Sequence, residues 1–149
     1  MNKIYAFIII IPLIALLFIK TMGFYEFDTK QRYMKNAVDS VAHKVMITGV
    51  MTSRDKEELL DKLQKLSDFG EVDVTLECGT IQSDGTIAGL HTYALGNVLD
   101  RGEVFNIYVQ SKEDSILSRM ESDSTNESDR LFYKAKATCR IEKRQQVDA

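Results

Sequence analysis

Two cysteines, one proline and eight glycines in 149 residues exclude several designs at once. Cys78 and Cys139 are too few for a disulfide scaffold. No nucleophile elbow, phosphate-cradling glycine loop or closely spaced metal-ligand pair occurs in the chain. The sequence therefore offers no enzyme active site, and no cofactor is expected. Positive charge is also in deficit, with 19 basic against 22 acidic residues and a formal net charge of -3. Setting aside Lys3 and Lys20 makes the remainder more acidic still. Nucleic acid is not an expected partner, because phosphate binding needs a concentrated positive surface.

What is present suits one folded unit. Apolar residues make up 44% and charged residues 28%, a balance that fits a globular fold and not a disordered chain. The length allows one compact domain plus an anchor. That anchor begins at once. Residues 4–19, IYAFIIIIPLIALLFI, carry no charge between Lys3 and Lys20. Sixteen helical residues reach about 24 Å, short of the ~30 Å hydrocarbon core. If Lys20 lays its stem along the acyl chains, Met22, Phe24 and Tyr25 extend the span. Tyr5, Phe24 and Tyr25 then fall at the interfaces that aromatic rings favour. The competing reading is a cleaved signal peptide cut near Thr21 or Gly23, but no Ala-x-Ala precedes such a site. A buried core helix is disfavoured, since so small a domain cannot surround sixteen consecutive apolar residues. Lys20, Lys30, Arg32 and Lys35 follow the span and only Lys3 precedes it, so the positive-inside rule alone would place the C-terminal part in the cytoplasm.

Beyond the span, Phe27, Met34, Val38, Val41 and Val45 recur at helical steps with charged residues between them, which predicts an amphipathic helix with those five as its packing face. No proline or glycine separates Phe24 from Thr48, so span and stripe are expected to form one helix, kinked at Pro12 and stopped by Gly49. Ser53 is placed to cap a second helix, with Leu59, Leu60, Leu63 and Leu66 on one face. The period then changes to two. Residues 71–78 alternate with Val72, Val74, Leu76 and Cys78 on the apolar side, and residues 103–111 and 130–143 read as two further strands. Ser83-Asp84-Gly85 marks a turn within 79–102, a stretch that reads as a short hairpin arm or an irregular loop. Residues 112–129 hold six acids and few apolar residues, and are expected to be a mobile loop with at most a helical turn. The fold class is α+β. Residues 1–25 form a transmembrane anchor, 26–52 an amphipathic helix packed on a small antiparallel sheet, and 53–149 a small α+β domain.

A helix that faces lipid in its first half and a sheet in its second is the plan of a pilin subunit. The chain resembles a family of short single-span proteins related in plan to TadE-like minor pilins of tight-adherence and secretion machinery. Ala42-His43-Lys44-Val45 running into Ile47-Thr48-Gly49, Phe105-Asn106-Ile107-Tyr108-Val109, and Tyr133-Lys134-Ala135-Lys136-Ala137-Thr138 carry the resemblance. It implies a single-pass protein of the cell membrane with the N-terminus inside and the pilin-like domain outside, against the positive-inside count. Its implied partners are the lipid bilayer and other membrane or pilin-like subunits. The chain departs from type IV pilins in one respect: Gly23 and Asp28 imitate the spacing of the prepilin cut, but after the apolar stretch and not before it. Cutting there would discard the helix that assembly needs.

His43 and His91 with Cys78 and Cys139 make a conceivable zinc set, set against ordinary histidines and core thiols. Cys78 and Cys139 both take apolar positions on strands, so one bridge in an oxidising compartment stands against two buried free thiols. Lys134, Lys136, Arg140, Lys143 and Arg144 line one strand face, open to anionic lipid, a partner or plain solvation. Two roles follow from this reading: a pilin-like structural or assembly component, or a membrane-tethered extracytoplasmic module that binds through 79–102 and 112–129.

Overall fold

The computed structural model describes residues 2–67, 69–120 and 131–142. The first element, α1, runs from Asn2 to Thr48 without a break, 47 residues and about 70 Å of helix. Pro12 and Gly23 are the proline and glycine of α1, and both lie in the half whose large apolar side chains are exposed, although Gly23 itself is buried. Gly49 ends it with φ of +73°, a left-handed conformation that lets its N–H reach the Val45 carbonyl at 2.7 Å.

Thr52, not Ser53, caps α2 (Ser53–Ser67). The Asp55 N–H bonds the Thr52 hydroxyl at 3.3 Å while the Asp55 carboxylate accepts the Thr52 N–H at 2.9 Å, a reciprocal capping box. Leu59 and Leu63 are buried, as the helical spacing predicts; the Leu66 side chain lies outside the described residues.

Four antiparallel strands follow: β1 (Val72–Ile81), β2 (Ile87–Thr92), β3 (Glu103–Ser111) and β4 (Lys134–Arg140), in the order β2-β1-β3-β4. The predicted turn joins β1 to β2. There Asp84 Oδ1 accepts the Thr86 hydroxyl at 2.7 Å and the Thr86 N–H at 3.0 Å, and Gly85 takes φ of +82°. Residues 93–99 form a loop sewn to the α1–α2 junction by Leu99 N–H to Gly49 O, Gly96 N–H to Met51 O, and Met51 N–H to the Tyr93 hydroxyl. The stretch 79–102 is thus both arm and loop. A short α3 (Ile116–Met120) supplies the expected helical turn, with the Ser115 hydroxyl accepting the Ser118 N–H. Residues 121–129 of the predicted mobile loop, and the strand ends Arg130 and Lys143, lie outside the described residues.

The core lies between α1 and one face of the sheet. Met34, Val38 and Val45 are fully buried, and Phe27 and Val41 pack at the margin, so the whole predicted packing face takes part. Opposite them stand Leu76 and Cys78 of β1, Phe105, Ile107 and Val109 of β3, and Ala135 and Ala137 of β4. Fully burying an aliphatic or aromatic side chain is worth about 1.5–3 kcal/mol, and this burial is the main term that holds the sheet against the helix. The result is α+β: a long N-terminal apolar helix over a four-stranded antiparallel sheet, consistent with a pilin-like plan.

Candidate functional site

α1 divides sharply at about residue 26. Its large apolar side chains from Ile4 to Tyr25 are 45–75% exposed, whereas Met34, Val38 and Val45 are at 0%. Among the described residues, nothing of the folded domain covers these side chains. Among the described residues α1 is the one helix long and apolar enough to cross a bilayer.

The second half is fixed to the domain along its length. Phe27 stacks on Tyr133 at 5.1 Å, and Phe69 meets the same ring edge-on. Gln31 uses both ends of its amide on the backbone of Lys134, donating to the carbonyl and accepting the N–H at 3.2 Å. Lys35 donates to the Lys136 carbonyl at 3.4 Å, and Glu142 N–H reaches the Met46 carbonyl at 2.9 Å. Contacts at 27, 31, 35 and 46 thus meet 133, 134, 136 and 142 in the same order. α1 therefore runs alongside β4 in the same direction, and Gln31 and Lys35 satisfy edge groups that would otherwise invite another strand.

Lys44 of α1 and Asp55 of α2 form an ion pair in which Asp55 is buried. Burial works to raise the Asp55 pKa, but the Lys44 ammonium and the Thr52 donors outweigh it and hold the carboxyl below its usual range. The same contact raises Lys44.

The structure brings Cys78 together with His91 and with neither of the other two residues of the conceivable zinc set. Cys78 Sγ lies 3.1 Å from His91 Nε2, and His91 Nδ1 lies 2.7 Å from the Gly89 carbonyl. Nδ1 must therefore carry the proton it donates to Gly89, which leaves Nε2 to accept from the thiol. His43 is exposed on α1, and Cys139 stands on β4. Among the described residues no group of three or more potential ligands converges. The Cys78–His91 contact was legible in principle, since the two residues are equidistant from the Asp84-Gly85 turn.

Strand order rules out a Cys78–Cys139 bridge. Cys78 pairs with Phe105, and Phe105 with Cys139, so the whole of β3 stands between the two thiols. Two strand steps are about 9.6 Å, beyond the ~7 Å Cα separation a disulfide tolerates. Both cysteines are free. Burial pushes the Cys78 thiol up and Cys139 to about 11, so neither is a thiolate at neutral pH.

The face of the sheet turned away from α1 is polar and divided by charge. Its cross-strand rows are Asp73–Gln110–Lys134, Thr75–Tyr108–Lys136 and Glu77–Asn106–Thr138, with Arg140 beside Val104. Carboxylates therefore stand on β1, neutral groups on β3 and cations on β4; Lys143 and Arg144 lie outside the described residues. Asn106 is only 6% exposed, and its Oδ1 has no hydrogen-bond donor. It sits in a shallow hollow of about 250 Å³ with Thr75, Glu77, Tyr108 and Lys136, smaller than the ~300–1,000 Å³ of ligand clefts. Alternation revealed both the basic strand and the polar side of β1 with Asp73, Thr75 and Glu77; that the two flank β3 became legible only with the strand order.

No protein-family model, curated protein or solved structure matches the chain.

Proposed function

We propose that this chain is a single-pass, membrane-anchored structural subunit of pilin-like plan that acts by assembly and not by catalysis. The observation that carries this reading is the abrupt change along α1, from side chains that nothing covers to side chains wholly enclosed by a sheet. An uncovered apolar helix of this length is stable in lipid and costly in water. Because the same helix continues as the wall of the domain, any force or displacement at the anchor reaches the domain through rigid backbone and not through a linker. That coupling suits a subunit of an assembled apparatus better than a tethered receptor.

The resemblance to TadE-like minor pilins supports placement in a secretion or adherence apparatus, with the N-terminus inside and the domain outside. Protease added to intact cells is expected to degrade the C-terminal domain and spare residues 2–25; protection of the domain would reverse the orientation. Recovery in sheared surface filaments, or crosslinking to membrane subunits of such an apparatus, is the expected result for assembly. Strict membrane retention without secretion partners would reject the role.

A further inference from the structure

We propose that the polar sheet face is the docking surface for a second copy of this chain, related by a two-fold axis that runs parallel to the strands over β3, midway between the two sheets. The inference rests on the anchored reading above for its orientation and on the charge pattern for its specificity. Rotation about such an axis exchanges the two sides of β3, so β4 of each copy comes to lie over β1 of the other. Lys134 then opposes Asp73, and Lys136 falls between Asp73 and Glu77. The pattern is self-complementary under that operator, as a closed dimer interface requires. A two-fold axis normal to the sheet would also exchange β1 and β4, but it leaves both copies in one layer and cannot stack the faces.

Direction along the membrane selects the same operator. α1 runs beside β4, so an axis parallel to the strands is also nearly parallel to the helix and keeps both anchors pointing the same way. Both can then enter one bilayer, about 30 Å apart across the layers helix, sheet, sheet and helix. On the axis, β3 presents the partly exposed Tyr108 and Gln110 to their own counterparts. Lys112 bridges Glu71 at 3.0 Å and Asp73 at 3.6 Å, and among the described residues no ion pair reaches Glu77, the other carboxylate of the column.

The test uses the full chain in vesicles of zwitterionic lipid, with two charge-reversed variants, D73K/E77K and K134E/K136E. Each is expected to lose self-association by roughly tenfold or more, since each would set like charges against like. Mixed together, they are expected to form heterodimers, because both halves of the mixed interface again join opposite charges. Monomeric wild-type chain in the vesicles, or self-association unchanged in both variants, would overturn the proposal. So would failure of the mixture to pair while each variant keeps its thermal unfolding. Recovery of the chain outside the vesicles would instead strike at the anchored reading, so the two failures are distinguishable.

Discussion

The two halves of α1 share one backbone but answer to different solvents. The large apolar side chains from Ile4 to Tyr25 are exposed, while Met34, Val38 and Val45 are as enclosed as the centre of the sheet. In the first half the sequence has no periodicity, because lipid contacts every side of a helix alike. In the second half apolar residues recur at three and four, because only one side meets the sheet. The change of pattern, and not the hydrophobicity as such, marks where the membrane would end.

Substitutions along and against α1 can break this comparison. The largest effect is expected at the sheet: Phe105→Ala should cost about 3–5 kcal/mol by denaturant unfolding, since the ring is fully buried between α1 and the Tyr93 edge. Met34→Ala on the helix side should cost about 2–5 kcal/mol, whereas Leu13→Ala should leave the unfolding of the domain within ~0.5 kcal/mol. Equal effects at positions 34 and 13 would erase the distinction. Gln31→Ala should cost about 1 kcal/mol and expose the β4 edge, seen as faster amide exchange at Lys134.

The smallest effect is set by pH. Asp55 is held below its unfolded value of 3.8, so its contribution is complete above that pH and is lost as pH falls through the lower folded value. Lys44 is raised above 10.5, so its contribution is complete below that pH and is lost as pH rises through the higher folded value. Between these limits the α1–α2 junction should be indifferent to pH. Asp55→Asn should remove the acid limb without altering the plateau's flatness, and a midpoint of acid loosening near pH 6 would contradict the assignment.

Much of the architecture could be read from periodicity. The stripe from Phe27 to Val45, the stop at Gly49 and the alternation of β1, β3 and β4 each express a local rule, and local rules survive without knowledge of neighbours. What periodicity withheld was adjacency. Cys78 and Cys139 both alternate inward, yet the insertion of β3 between their strands parts them. The same order creates the opposed charge columns on the outer face, which neither β1 nor β4 displays alone. Thr52 displaced Ser53 as the cap for a local reason, since Thr52-Ser53-Arg54-Asp55 carries the acid three residues on that a capping box needs and Ser53 has Lys56 there; only the Lys44 contact to Asp55 is tertiary.

Spin labels placed one at a time along α1, in a Cys78→Ser, Cys139→Ser background reconstituted in bilayers, test the division most directly. The account expects high access to oxygen and low access to polar quenchers at every position from 4 to 19, then a swing with a period near 3.6 from 27 to 45. Water access throughout the first stretch, or the same helical swing in both halves, would contradict it.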